Sequence, residues 1–151
     1  MKLKLIVPLL SACLLTGCLF GCSQDNKNAV EPVVLPDVFK GRNFAYGGDD
    51  PGVALIFDDN KNPEIQNLSR HLESVDVEFE LLPLSKKETD KGMMYFLPFK
   101  VTNQFIDDGY LKTGVEYKFW LSYNEPDFYA GASKNDPSLT EPEILLMEGV
   151  W

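Results

Sequence analysis

One histidine, three aspartate doublets and three cysteines, all of the latter within the first 22 residues, are the reactive groups of this 151-residue chain. His71 stands in "LSRHLES". One histidine cannot build a multi-histidine zinc site, and the nearby carboxylates are not at helical ligand spacing. No G-x-S-x-G elbow supplies a serine nucleophile for it to activate, so His71 reads as a solvated surface residue. The doublets are Asp49-Asp50, Asp58-Asp59 and Asp107-Asp108. "DDNKNPE" begins like a calcium loop, with Asp58, Asn60 and Asn62 at alternate positions. It then places Pro63 where an EF-hand needs glycine and Ser69 where the bidentate glutamate belongs. Short polar side chains that cap their own turns explain the doublets more simply. A hydrolytic pair would need two carboxyls across a cleft at roughly 5–9.5 Å. "GGDDPG" puts aspartates where a phosphate loop needs backbone amides, and no basic patch interleaved with aromatics suggests nucleic acid. The chemistry-bearing residues therefore predict a non-enzymatic protein without metal or cofactor.

The elements that would position these groups are strands. "SVDVEFELL" alternates Val75, Val77, Phe79 and Leu81 against acids. "MYFLPFKV" sets Tyr95, Leu97, Phe99 and Val101 on one face, and "GVEYKFWLSY" sets Val115, Tyr117, Phe119, Leu121 and Tyr123 together. Glu116, Lys118, Trp120 and Ser122 then point outward. "VALIF" and "EILLME" are shorter strand candidates, and turn-forming clusters separate the runs. Only "EIQNLSRHLES" has helical spacing, through Ile65, Leu68 and Leu72, and it reads as one short helix or a turn. The fold class expected is an all-β antiparallel β-sandwich with at most one short helix.

The cysteines belong to a different kind of segment. Lys2 and Lys4 precede an apolar run and small residues, the layout of an export signal. Leu5 to Leu15 is too short for a stable membrane span, although counting on to Cys22 approaches the roughly 20 residues that one needs. "LTGC", Leu15 to Cys18, resembles the lipobox of bacterial lipoproteins, and "LFGC", Leu19 to Cys22, resembles it less closely. The resemblance implies a diacylglyceryl group on the cysteine sulfur, cleavage just before it and acylation of the new amine. Spacing favours Cys18; Ser23, a common second residue of mature lipoproteins, favours Cys22. Each buried acyl CH₂ contributes about 0.8 kcal/mol, so two or three chains make a lasting anchor. In a host with two membranes, the resemblance implies the outer membrane facing the periplasm, because neither Leu19 nor Ser23 is the aspartate associated with inner-membrane retention in that family. Residues 1–22 thus form the signal and lipidation region, 23–36 a polar, proline-punctuated tether, and 37–151 the folded domain. No cysteine follows Cys22, so an apolar core without disulfides must hold that domain.

Within the domain, "YLKTGVEYKFWLSY" resembles the tyrosine corner of fibronectin type III and immunoglobulin-like sandwiches, with Leu111, Gly114 and Tyr117 at the matching positions. The Tyr117 ring would be buried and its hydroxyl would need a backbone partner upstream. A transthyretin-like sandwich carries similar signals. Beyond the corner, Trp120, Phe128 and Tyr129, flanked by Glu125 and Asp127, are candidates for an exposed aromatic and acidic patch.

Without Lys2 and Lys4 the 14 basic residues fall to 12 against 23 acidic ones, a formal charge of about −11. Such a field repels nucleic acid and suits a basic or neutral protein partner. The reading is a lipid-anchored, protein-binding envelope module. Small acidic lipoproteins of this kind resemble immunity proteins associated with type VI secretion, which would imply occlusion of an incoming toxin. An assembly lipoprotein of a secretion or pilus machine, and a carbohydrate-binding or hydrolytic domain using the aspartate loops, are the alternatives.

Overall fold

The computed structural model describes residues 32–58, 63–71 and 73–149. Cys18, Cys22, the export region and most of the tether lie outside the described residues, as do Asp59 and Asn60 to Asn62. Among the described residues no helix is long and apolar enough to cross a membrane.

The fold is all-β and antiparallel, with a three-residue 3-10 turn, Asp37–Phe39, as its helical element among the described residues. After that turn come β1 (Asn43–Ala45), β2 (Gly52–Phe57), β3 (Pro63–Leu68) and β4 (Ser74–Asp76). These four strands form one meander. A second half contains β5 (Glu78–Leu81), β6 (Ser85–Thr89), β7 (Gly92–Asn103), β8 (Glu116–Asn124), β9 (Asp127–Lys134) and β10 (Ile144–Glu148). The hydrogen-bonded order is β4-β3-β2-β1-β10-β9-β8-β7-β5, with β6 also on β7. Neighbours are thus mostly consecutive in the chain, giving meanders where the immunoglobulin sandwich uses Greek-key connections.

Two strands change sheets, which closes the sandwich along both edges. β10 pairs with β9 through Ile144, Leu145 and Leu146, then with β1 through Met147 and Glu148. At the other edge only Val77 separates β4, on β3, from β5, on β7. Val77 is buried and its N–H donates to the Ile65 carbonyl, so the backbone stays bonded through the crossing. The alternation of "SVDVEFELL" is therefore shared between two sheets, and Leu81 ends up exposed.

Both halves contribute to one core. Phe99 stacks on Phe119 at 5.1 Å and on Tyr117 at 5.9 Å. Phe39 plugs one end, with its ring 5.7 Å from Phe128 and 6.4 Å from both Phe44 and Phe57. Leu35 also packs against this core, so ordered packing begins before residue 37.

The short helix or turn expected over "EIQNLSRHLES" is a strand followed by a turn among the described residues. Ile65 and Asn67 alternate inward in β3, and the chain turns near Ser69 and His71. The polar Asn67 at an inward position hid the period of two. β9 was hidden differently: its centre, "AGAS", lacks the bulky residues that mark strands.

Candidate functional site

Walking the register outward from β1 fixes the ends of the sandwich. Asn43 and Gly149 share one pole, where Gly41 and Arg42 also bond Phe57. Across β10 and β9 that pole reaches the β8–β9 turn at Asn124 and Asp127. The chain that precedes β1 comes in at this pole, while the loop between β7 and β8, residues 104–115, crowns the other.

That loop is built by polar residues turned inward. Asn67, 0% exposed, accepts a hydrogen bond at Oδ1 from the Leu111 N–H at 2.9 Å. Its Nδ2 donates to the Gln104 Oε1 at 2.8 Å and to the Leu111 carbonyl at 3.2 Å. Gln104 Nε2 donates to the same carbonyl at 2.8 Å. The backbone must pass very close: a Cβ on Gly109 would lie 2.3–2.4 Å from the Asn67 amide, so only glycine fits.

A second brace comes from Tyr117, which is buried. Its hydroxyl accepts from the Lys112 N–H at 2.9 Å and faces the Tyr110 carbonyl at 3.4 Å. Leu111 is buried, and Gly114 turns the chain at φ +82°, a conformation that favours glycine. Burial pushes the Tyr117 hydroxyl above the ordinary tyrosine range, opposed by its bond from Lys112. Tyr110 supplies a third brace, donating to Glu143 Oε2 at 3.0 Å; the same oxygen accepts from the Lys134 N–H at 2.7 Å. Burial first, then the bond to Glu143, raises the Tyr110 hydroxyl far above its usual range.

What this framework presents is a phenylalanine in water. Ile106 is buried as the loop's internal anchor, whereas Phe105 is 85% exposed. Asp107 and Asp108 beside it are exposed as well, and the Lys112 ammonium bonds the Asp107 carbonyl. The sequence reading singled out this aspartate doublet but not Phe105. A lone phenylalanine in a polar loop, two residues past the end of the preceding strand, was the available signal.

The expected patch of Trp120, Phe128 and Tyr129 does not form, because strand alternation divides it. Phe128 faces the core beside Phe39, Phe44 and Tyr123, with Arg42 above its ring. Tyr129 lies on the opposite face, under the Lys91 ammonium at 4.0 Å. Trp120 does leave the core, but only 6% of it is exposed: Phe96 meets it edge-on at 5.0 Å, and its Nε1 donates to Ser133 Oγ at 2.9 Å. The segment after β9 walls its surroundings. Glu125 and Asp127 stay exposed at the opposite pole from Phe105.

The doublets are also distributed. Asp58 lies beside Phe57 at the pole where the chain comes in, whereas Asp49-Asp50 and Asp107-Asp108 lie on loops of the other pole. His71 is exposed in the β3–β4 turn. Among the described residues no group of three histidines, cysteines or acids could hold a metal ion. No protein family, curated protein or solved structure shows a significant match to this chain.

Proposed function

We propose that this chain is a lipid-anchored, non-enzymatic binding module of the bacterial envelope, and that the β7–β8 loop is its contact with a basic protein partner. The observation that carries the reading is Phe105, 85% exposed on a loop that Asn67, Tyr117 and Tyr110 all brace. Leaving a phenylalanine in water forfeits burial worth about 1.5–3 kcal/mol. A bound partner recovers that burial, and a braced loop loses little conformational freedom on binding. Asp107 and Asp108 supply the complementary charge for a basic surface, steering encounter and discriminating among partners.

An immunity protein that covers a basic toxin is the most specific form of this proposal. The test uses the full chain in its host, with a photo-crosslinking benzophenone residue replacing Phe105 or, for comparison, the exposed Leu81. The expected result is one discrete adduct from position 105, lost in the Asp107→Asn, Asp108→Asn double variant and absent from position 81. Equal adducts at both positions, or none at 105, would contradict it. Intact mass of the membrane-extracted protein and of its Cys18→Ala and Cys22→Ala variants tests the anchor separately.

A further inference from the structure

The outer face of β6, β7 and β8 carries a groove of about 540 Å³, walled on its far side by the segment after β9. Ser85, Lys87 and Thr89 come from β6, Phe96 and Pro98 from β7, and Lys118 and Trp120 from β8. Its size lies within the range typical of small-molecule sites. Its charge runs against that of the whole molecule. In a chain of formal charge −9, both ionisable residues lining the groove are lysines.

Lys118 is the unusual one. It is 8% exposed, with its ammonium 4.8 Å from the Trp120 ring centre and 5.7 Å from that of Phe96. Its Nζ donates to the Asp136 carbonyl at 2.9 Å, which uses one of three donors. Among the described residues no carboxylate lies within ion-pair distance of it. One oxygen of the Asp136 carboxylate, Oδ1, accepts from the Ser138 N–H and hydroxyl, at 2.8 and 2.7 Å. Burial accordingly lowers the Lys118 ammonium below the ordinary lysine range, with only partial compensation from Asp136. A buried cation with donors to spare is costly unless an anion completes its surroundings.

We infer that this groove binds a small organic carboxylate, its charge on Lys118 and Lys87 and its apolar body against Phe96, Pro98 and Leu139. The ring faces around Lys118 are already engaged by its own ammonium, so they hold the cation in place and leave its unused donors for the acid. This site is independent of the β7–β8 loop, and its success or failure says nothing about Phe105.

Trp120 reports on occupancy. In the full chain, Trp151→Phe leaves it as the single tryptophan, and its fluorescence is titrated with phenylacetate and with neutral phenylacetamide. A ligand of this size is expected to saturate with a Kd of about 1–50 mM, while the amide leaves the signal unchanged. Lys118→Met is expected to abolish the response. Lys87→Met, on an exposed strand, should weaken it several-fold with the fold intact, and it decides the matter if the Lys118 variant does not fold. An equal response to the amide, an unaltered titration in the Lys87 variant, or no saturable signal by about 50 mM phenylacetate would overturn the site.

Discussion

Two aromatic and acidic segments of this protein, similar in composition, meet opposite fates. "NQFIDD" follows β7 and "NEPDFY" joins β8 to β9. In the second, the backbone returns at once to extended pairing, so alternation turns Phe128 into the core and Tyr129 onto the other face. In the first, pairing has ended at Asn103, and side-chain hydrogen bonds take over the backbone. Those bonds fix the path while leaving Phe105 outside. The lesson is that an aromatic residue is buried by the regular strand it belongs to, whereas a loop held by polar contacts can keep one exposed at little conformational cost.

The clamp is the most sensitive point of this comparison. Asn67→Ala removes three hydrogen bonds and leaves the Leu111 N–H without its partner in a buried setting. A destabilisation of about 3 kcal/mol is expected in urea unfolding. Gly109→Ala should produce a related loss, because its methyl would displace the same amide. The two phenylalanines provide the contrast itself. Phe128→Ala should cost about 2 kcal/mol, as a half-buried ring loses part of the full core penalty. Phe105→Ala should change stability by no more than about 0.5 kcal/mol. Comparable losses at both positions would show that Phe105 is not free of the fold.

Tyr117→Phe keeps the stacked ring but removes the acceptor of the Lys112 N–H, and a loss of about 1 kcal/mol is expected in the same assay. The smallest effect is alkaline. The folded state raises the Tyr110 hydroxyl above its ordinary value of 10.0, first by burial and then through Glu143. The unfolded chain therefore ionises first. This contribution is intact below about pH 10 and is lost as pH rises beyond it. Tyr110→Phe should flatten the decline in stability above pH 10, leaving a residual slope from Tyr117, whose hydroxyl is shifted in the same direction.

How legible this architecture is in the sequence depends on which faces a residue touches. Phe99, Val101, Tyr117, Phe119 and Leu121 follow the period of two and are buried together. Asn67 defeated the same rule, because a polar residue inside a strand reads as a break until its loop partners are known. Trp120 follows the alternation onto the other face of β8, but its burial comes from Phe96 and Ser133 on the neighbouring strands, contacts that no local pattern encodes. The aspartates of the candidate site were visible as a doublet. The exposure of Phe105 was not, since it depends on Ile106 rather than Phe105 turning inward.

The central claim is that the β7–β8 loop is a rigid platform whose backbone is held by side chains. Native-state hydrogen exchange addresses it at two amides, Leu111 and Lys112, which donate to Asn67 and to Tyr117. Both are predicted to exchange as slowly as the central amides of β8, and to lose that protection selectively in the Asn67→Ala and Tyr117→Phe variants respectively. Exchange of both at the rate of an unprotected loop in the parent protein would contradict the account.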